Sequence, residues 1–234
     1  MIIWLSSYPK SGNTWLRLLL TNYFHSDKKI FSNINYIKEF PKKSFFKDLD
    51  EETNTGLKGL ELYRYFILSQ DRLNFNNEVN LLKTHSICGT INGYKFTNKE
   101  NTLGFIYIVR DPRSVAISYA HHRNIDYGKS TEIITDENNV VIDEDKVLTL
   151  MSSWKTNYLS WLKSPYPRII IKYEDLHKNT FENFKKILFF INKFIKKEIN
   201  ENKIYKNIKK FSFNNLKHEE ENFGFSEKVG NDNF

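Results

Sequence analysis

The chain has 234 residues, with 35 Lys and Arg against 28 Asp and Glu and a formal charge of +7. With 40% hydrophobic and 15% aromatic residues it can bury a core, so wholesale disorder is excluded, and its length suits one α/β domain. Its one cysteine, Cys88, excludes an intramolecular disulfide and a thiolate metal cluster and reads as a small buried apolar side chain.

No basic stretch precedes an apolar one at the start, Lys10 interrupts the first apolar run, and no apolar span approaches bilayer length. The expectation is a soluble, cytoplasmic protein in a reducing compartment. The basic balance fits an anionic ligand, nucleic acid or an acidic membrane surface, and fits equally a lysine-rich compositional habit.

Ile2 to Ser7 is a short run of β-formers that ends at Tyr8-Pro9, where proline stops a central strand. Gly12 then precedes WLRLLLTNYF, which reads as a helix. Residues 26–55 are polar and of mixed charge, as in a loop or lid. Gly56 to Arg72 has helical spacing through Leu57, Leu60, Leu62, Tyr65, Phe66 and Ile67. Val79 to Leu82 is a brief strand leading into Lys83-Thr84-His85. The continuous apolar run Phe105 to Val109 fits a strand buried on both faces of a parallel sheet. Asp111-Pro112 supplies an N-cap and a first-turn proline for the next helix. Ile169 to Lys172 is another short strand, followed by YEDL and a helix from about Phe181 to Phe194. Strands alternating with helices predict an α/β fold: a single domain over 1–234 with a central parallel sheet flanked by helices, its opening strand, loop and helix P-loop-like in geometry.

The segment WLSSYPKSGNTWLRLLL carries the strongest functional signal. A strand feeds a turn and a helix starts just after Gly12, so exposed N–H groups and the helix dipole attract an anion there. Lys10 adds a point charge, Ser11, Asn13 and Thr14 add side-chain donors, and Gly12 permits close backbone approach. The order of residues differs from G-x-x-x-x-G-K-[ST], in which lysine follows the second glycine. A second anion site is expected where FIYIV ends, because Arg110 lies at a strand end, where open α/β sheets place ligands. Its planar fork matches a phosphate. Arg113 reads as a surface charge near the helix start.

Taken together, these strings resemble the sulfotransferases that use 3′-phosphoadenosine 5′-phosphosulfate (PAPS). YPKSGNTW is similar to that family's 5′-phosphosulfate loop, and IVRDPRS with Ser118 eight residues beyond Arg110 is similar to its 3′-phosphate motif. The resemblance implies that Lys10 contacts the bridging oxygen, that Ser11, Gly12, Asn13 and Thr14 hold the 5′-phosphate, and that Trp15 lies against adenine. It implies Arg110 and Ser118 at the 3′-phosphate, and Tyr173, Ser212 and Phe213 on the adenine side. Lys-Thr-His resembles the family's catalytic segment. His85 would be the general base, with Lys10 and Lys83 balancing charge on the bridging and sulfuryl oxygens. The product would be adenosine 3′,5′-bisphosphate, with no metal needed.

The family's closing R-K-G-x-x-G-x-W segment has no match before the sequence stops at VGNDNF, which suggests a fragment or a variant that holds the cofactor less tightly. Residues 26–80 and 121–150 lie outside the cofactor motifs and should build the acceptor pocket. Phe45, Phe46, Tyr63 and Phe66 could be its apolar wall or could be core. The acceptor class stays open among small-molecule and glycan alcohols or amines, and the oligomeric state is not legible. The competing readings are a P-loop-type nucleotide kinase, disfavoured by the missing GK[ST], and a nucleic-acid binder, for which no motif speaks.

Overall fold

The computed structural model describes residues 1–25, 34–49, 51, 59–142, 147–212 and 215–216. Its strands are β1 (Ile2–Ser7), β2 (Asn80–Thr84), β3 (Thr90–Ile91), β4 (Tyr94–Lys95), β5 (Thr102–Val109), β6 (Val140–Ile142), β7 (Leu148–Leu150) and β8 (Arg168–Lys172). Its α-helices are α1 (Asn13–His25), α2 (Phe66–Asn74), α3 (Pro112–Arg123), α4 (Tyr127–Thr135), α5 (Trp154–Leu162), α6 (Tyr173–Lys178), α7 (Thr180–Ile195) and α8 (Glu201–Lys210).

The central sheet is parallel throughout, in the order β2-β1-β5-β8. Side chains alternate across it with the period of two that a strand imposes. On β1 and β5, Ile3, Leu5, Ile106 and Ile108 enter an aliphatic layer with Leu16, Leu19, Leu20, Ile187 and Ile191 of α1 and α7. Trp4, Phe105 and Tyr107 point the other way, into an aromatic layer with Phe40, Phe46, Phe66, Phe96 and Trp161. The apolar run of β5 is therefore buried on both faces, as its sequence requires. The two short antiparallel hairpins, β3-β4 and β6-β7, have no counterpart in the sequence reading.

One expectation changes in detail. The segment read as one helix over Gly56 to Arg72 is, where described, a 3₁₀ turn at Leu60–Tyr65 that continues into α2. In a 3₁₀ turn residues three apart eclipse; here Tyr63 and Phe66 stack with centroids 4.2 Å apart at 20°. Of the two readings open for Phe45, Phe46, Tyr63 and Phe66, core is the one found: all four are buried in the aromatic layer. Cys88 is partly buried, and burial pushes its thiol up to about 12, so it stays protonated at neutral pH. Among the described residues no helix is long and apolar enough to cross a membrane.

Candidate active site

From β1 the chain goes to its neighbour β2 on one side, then returns to β5 on the other. The sheet order reverses between β1 and β5, and a crevice for ligands opens beyond the carboxyl ends of such a strand pair. Residues 8–15 leave β1 there, and Arg110 leaves β5. Lys10 and Gly12 have φ of 63° and 93°, so the chain curls around Ser11 before α1 begins. Asn13 Nδ2 closes the curl, donating to Leu5 O at 3.1 Å and Ser7 Oγ at 3.2 Å. A Cβ on Gly12 would meet Cδ2 of Tyr173 at 2.4 Å, so the ring and the loop fit only with glycine in that position.

Arg110 lies across this curl. Its Nη1 donates to Lys10 O at 2.8 Å, and its guanidinium carbon sits 4.5 Å over the Tyr173 ring. Arg110 Nε and Ser11 Oγ are buried polar atoms without a protein partner. Such groups are costly to leave unmade, and both lie at the crevice where the sequence expects anions. Arg113, by contrast, is exposed and pairs with Asp111 at 2.5 Å, the surface role expected of it. Asp111 caps α3 by accepting from Arg113 N. Ser118 is partly buried on α3, two turns beyond the cap.

The expected adenine side is drawn together from distant segments. Trp15 meets Tyr173 edge-on at 6.3 Å and donates from Nε1 to Phe211 O at 3.0 Å. His177, which the sequence left without a role, lies 6.1 Å from Trp15 and 6.2 Å from Tyr173. Ser212 follows directly and is partly buried, whereas Phe213 lies outside the described residues.

His85 follows β2, beside the end of β1. Its Nδ1 is 2.7 Å from Ser7 O. A carbonyl only accepts, so Nδ1 carries the proton of the neutral ring and Nε2 keeps the lone pair. Burial is the main cause that lowers the His85 pKa to about 4, and the Lys83 ammonium adds to it, against the opposing pull of Glu39 and Ser7. At neutral pH the ring is an uncharged acceptor.

Lys83 is nearly buried and forms an ion pair with Glu39, Nζ to Oε2 3.1 Å. Burial would raise the Glu39 carboxyl, but Lys83, with His85 and Lys42, overcomes it and holds the carboxyl at about 2. The chain at Lys38 to Phe40 runs alongside β2, with Lys83 N donating to Lys38 O at 2.9 Å and Phe40 N to Lys83 O at 2.8 Å. Arg17 of α1 fixes the same chain from inside, donating to Ile34 O and Ile37 O. Neither Ser7 nor Glu39 stood out in the sequence; the only signal for Glu39 would have been a carboxylate able to reach the strand-end lysine.

Among the described residues no cluster of His, Cys, Asp or Glu is arranged to hold a metal ion. A sequence profile described as "Sulfotransferase domain" matches residues 2–229. The luciferin sulfotransferase of Photinus pyralis is 25% identical over 214 residues, which cover 91% of this chain and 56% of that protein. The chain thus spans little more than half the length of that relative. Among solved structures, retinol dehydratase in complex with retinol and PAP superposes with a TM-score of 0.61 at 18% identity, covering 99% of this chain and 72% of the other. Mouse sulfotransferase SULT7A1 complexed with PAP superposes with a TM-score of 0.56 at 22% identity, covering 92% of this chain and 65% of the other. These likenesses establish the shared fold.

Proposed function

The chain belongs to the sulfotransferase domain family, and from that premise we propose that it transfers a sulfuryl group from PAPS to a hydroxyl or amine acceptor. The observation that carries the reading is the pairing, at one switch-point crevice, of two unpartnered buried donors with a neutral histidine. Ser11 Oγ and Arg110 Nε are buried donors that suit anionic groups of a ligand, and His85 meets Ser7, to which Asn13 of the same loop also bonds. PAP is bound in the mouse sulfotransferase and in retinol dehydratase, and the phosphates of a PAP-like nucleotide would supply anions to these donors.

PAPS supplies an activated sulfuryl group whose leaving group is the 5′-phosphate. Ser11, Gly12, Asn13 and Thr14 hold that phosphate at the start of α1, where the N–H groups and the helix dipole face it. Arg110 and Ser118 take the 3′-phosphate. Trp15, Tyr173 and Ser212 flank the adenine. As the acceptor oxygen bonds to sulfur, His85 Nε2 receives its proton, the bridging S–O bond breaks, and Lys10 meets the charge left on the bridging oxygen. The products are the sulfated acceptor, protonated His85 and adenosine 3′,5′-bisphosphate. Lys83 contributes positive charge at the sulfuryl oxygens to the extent that its pair with Glu39 allows. The acceptor is a small molecule or glycan; retinol and androsterone occupy retinol dehydratase, a protein of the same fold.

The test is transfer of radiolabel from PAPS to a panel of phenols, lipid alcohols, amines and sugars. Label on an acceptor, lost in His85→Ala, is expected. Phosphoryl transfer from ATP with no sulfuryl transfer from PAPS would instead favour the kinase reading.

A further inference from the structure

The four residues after β2 carry the proposed base and belong to no long strand or helix, so their backbone groups need partners from elsewhere. One face of α5 provides them. Asn157 Nδ2 donates to His85 O at 2.8 Å, Trp161 Nε1 donates to Ser86 O at 2.9 Å, and Ser160 Oγ accepts from Cys88 N at 2.9 Å. Positions 157, 160 and 161 share a face because they are three and four residues apart on a helix. Of the other donors, Ile87 N reaches Leu150 O at 2.9 Å and Ser86 N reaches Thr84 Oγ1 at 3.1 Å.

Asn157 is the centre of this arrangement. It is completely buried. Its Nδ2 also donates to Met151 O at 2.9 Å, and its Oδ1 accepts from the Tyr107 hydroxyl at 2.8 Å. Both amide donors and the acceptor are thereby engaged with three separate parts of the chain: the segment after β2, the end of the β6-β7 hairpin, and β5. An amide locked from three sides cannot rotate, so it fixes the His85 carbonyl relative to the sheet. Ser7, on β1, fixes the ring of the same residue. His85 is thus gripped at its main chain by α5 and at its side chain by β1.

We propose that Asn157 is a positioning residue for His85, and that α5 as a whole sets where the base stands relative to the phosphate loop. This rests on the reading of His85 as the base. The variant Asn157→Leu removes both donors at similar volume, and Tyr107→Phe removes only the hydroxyl that locks the amide. Turnover, adenosine 3′,5′-bisphosphate affinity and the ¹⁵N spectrum of the His85 ring are measured on each folded protein.

Asn157→Leu is expected to lower kcat about tenfold or more, because small misplacements of a reacting group cost that much. Nucleotide affinity should stay within about twofold, since the phosphate loop makes no bond to Asn157. The His85 ring nitrogens should shift toward a mixture of the two tautomers. Tyr107→Phe should show the same pattern at smaller size, and it serves alone if Asn157→Leu does not fold. An unchanged ring spectrum, or affinity that falls in step with kcat, overturns the proposal. His85→Ala is the separate control: near-full activity there would refute the base assignment, while the ring spectrum of the Asn157 variant would still decide whether α5 orients that side chain.

Discussion

The two halves of the site are built in opposite ways. The loop at residues 8–15 is local, a strand end, a curl and a helix start in succession, and Arg110 docks on it from 100 positions away by a bond to Lys10 O. The half around His85 is assembled from afar. His85 takes its ring contact from Ser7, its carbonyl contact from Asn157, and its electrostatic surroundings from Lys83 and Glu39. An anion can be held by backbone N–H groups that a short sequence positions. A neutral base needs desolvation and orientation together, and those come from packing.

The sharpest way to break this contrast is His85→Ala. With an alcohol acceptor, turnover should fall by about 10²- to 10⁴-fold, the range of a general base, while calorimetry finds nucleotide affinity nearly unchanged. Retained turnover would move the base elsewhere.

Glu39→Gln probes the surroundings of the base. Lys83 would keep its charge in a nearly buried position without its carboxylate partner. Breaking a fully buried pair costs about 3–5 kcal/mol; Glu39 is partly exposed, so about 1–3 kcal/mol is expected in denaturant unfolding. The His85 pKa should fall further, since the carboxylate supports the imidazolium. Unchanged stability and titration would show the pair to be incidental.

Gly12→Ala strikes the other half. A methyl group there meets the Tyr173 ring at 2.4 and 2.7 Å on a backbone with φ of 93°. The cost should be about 1–3 kcal/mol of strain and clash, accompanied by weaker nucleotide binding. Thermal melting with and without adenosine 3′,5′-bisphosphate separates the two effects.

The pH response of His85 is a subtler probe. Its folded pKa of about 4 lies below the ordinary 6.5. Between these values the unfolded chain binds the proton and the folded one does not, so this group costs stability as pH falls from 6.5 toward 4 and nothing above 6.5. NMR should find the ring neutral at pH 6 and titrating near 4 without ligand. A midpoint near 6.5 would mean that the ring is solvated.

The same contrast explains what the sequence could tell. Ile2 to Ser7, the Asp111-Pro112 cap and the doubly buried β5 were legible because propensity, capping chemistry and apolar runs are local. The curl between β1 and α1 was legible for the same reason. Glu39, Ser7 and Asn157 were not, because each acts on a residue about 44 to 78 positions away, and no spacing rule reaches that far. The 3₁₀ turn before α2 was misread because its aromatic spacing suits either helix type. The β6-β7 hairpin offered only two short runs, each too brief for periodicity to separate.

The most direct test of the central claim is calorimetry with adenosine 3′,5′-bisphosphate and with 5′-AMP, on the protein and on Arg110→Ala. If the crevice between β1 and β5 reads a two-ended nucleotide, the bisphosphate binds more tightly than AMP. Arg110→Ala should then remove about 1.5–3 kcal/mol from bisphosphate binding, the worth of a charged hydrogen bond, and far less from AMP. Equal affinities for the two nucleotides, or equal losses on substitution, would contradict it.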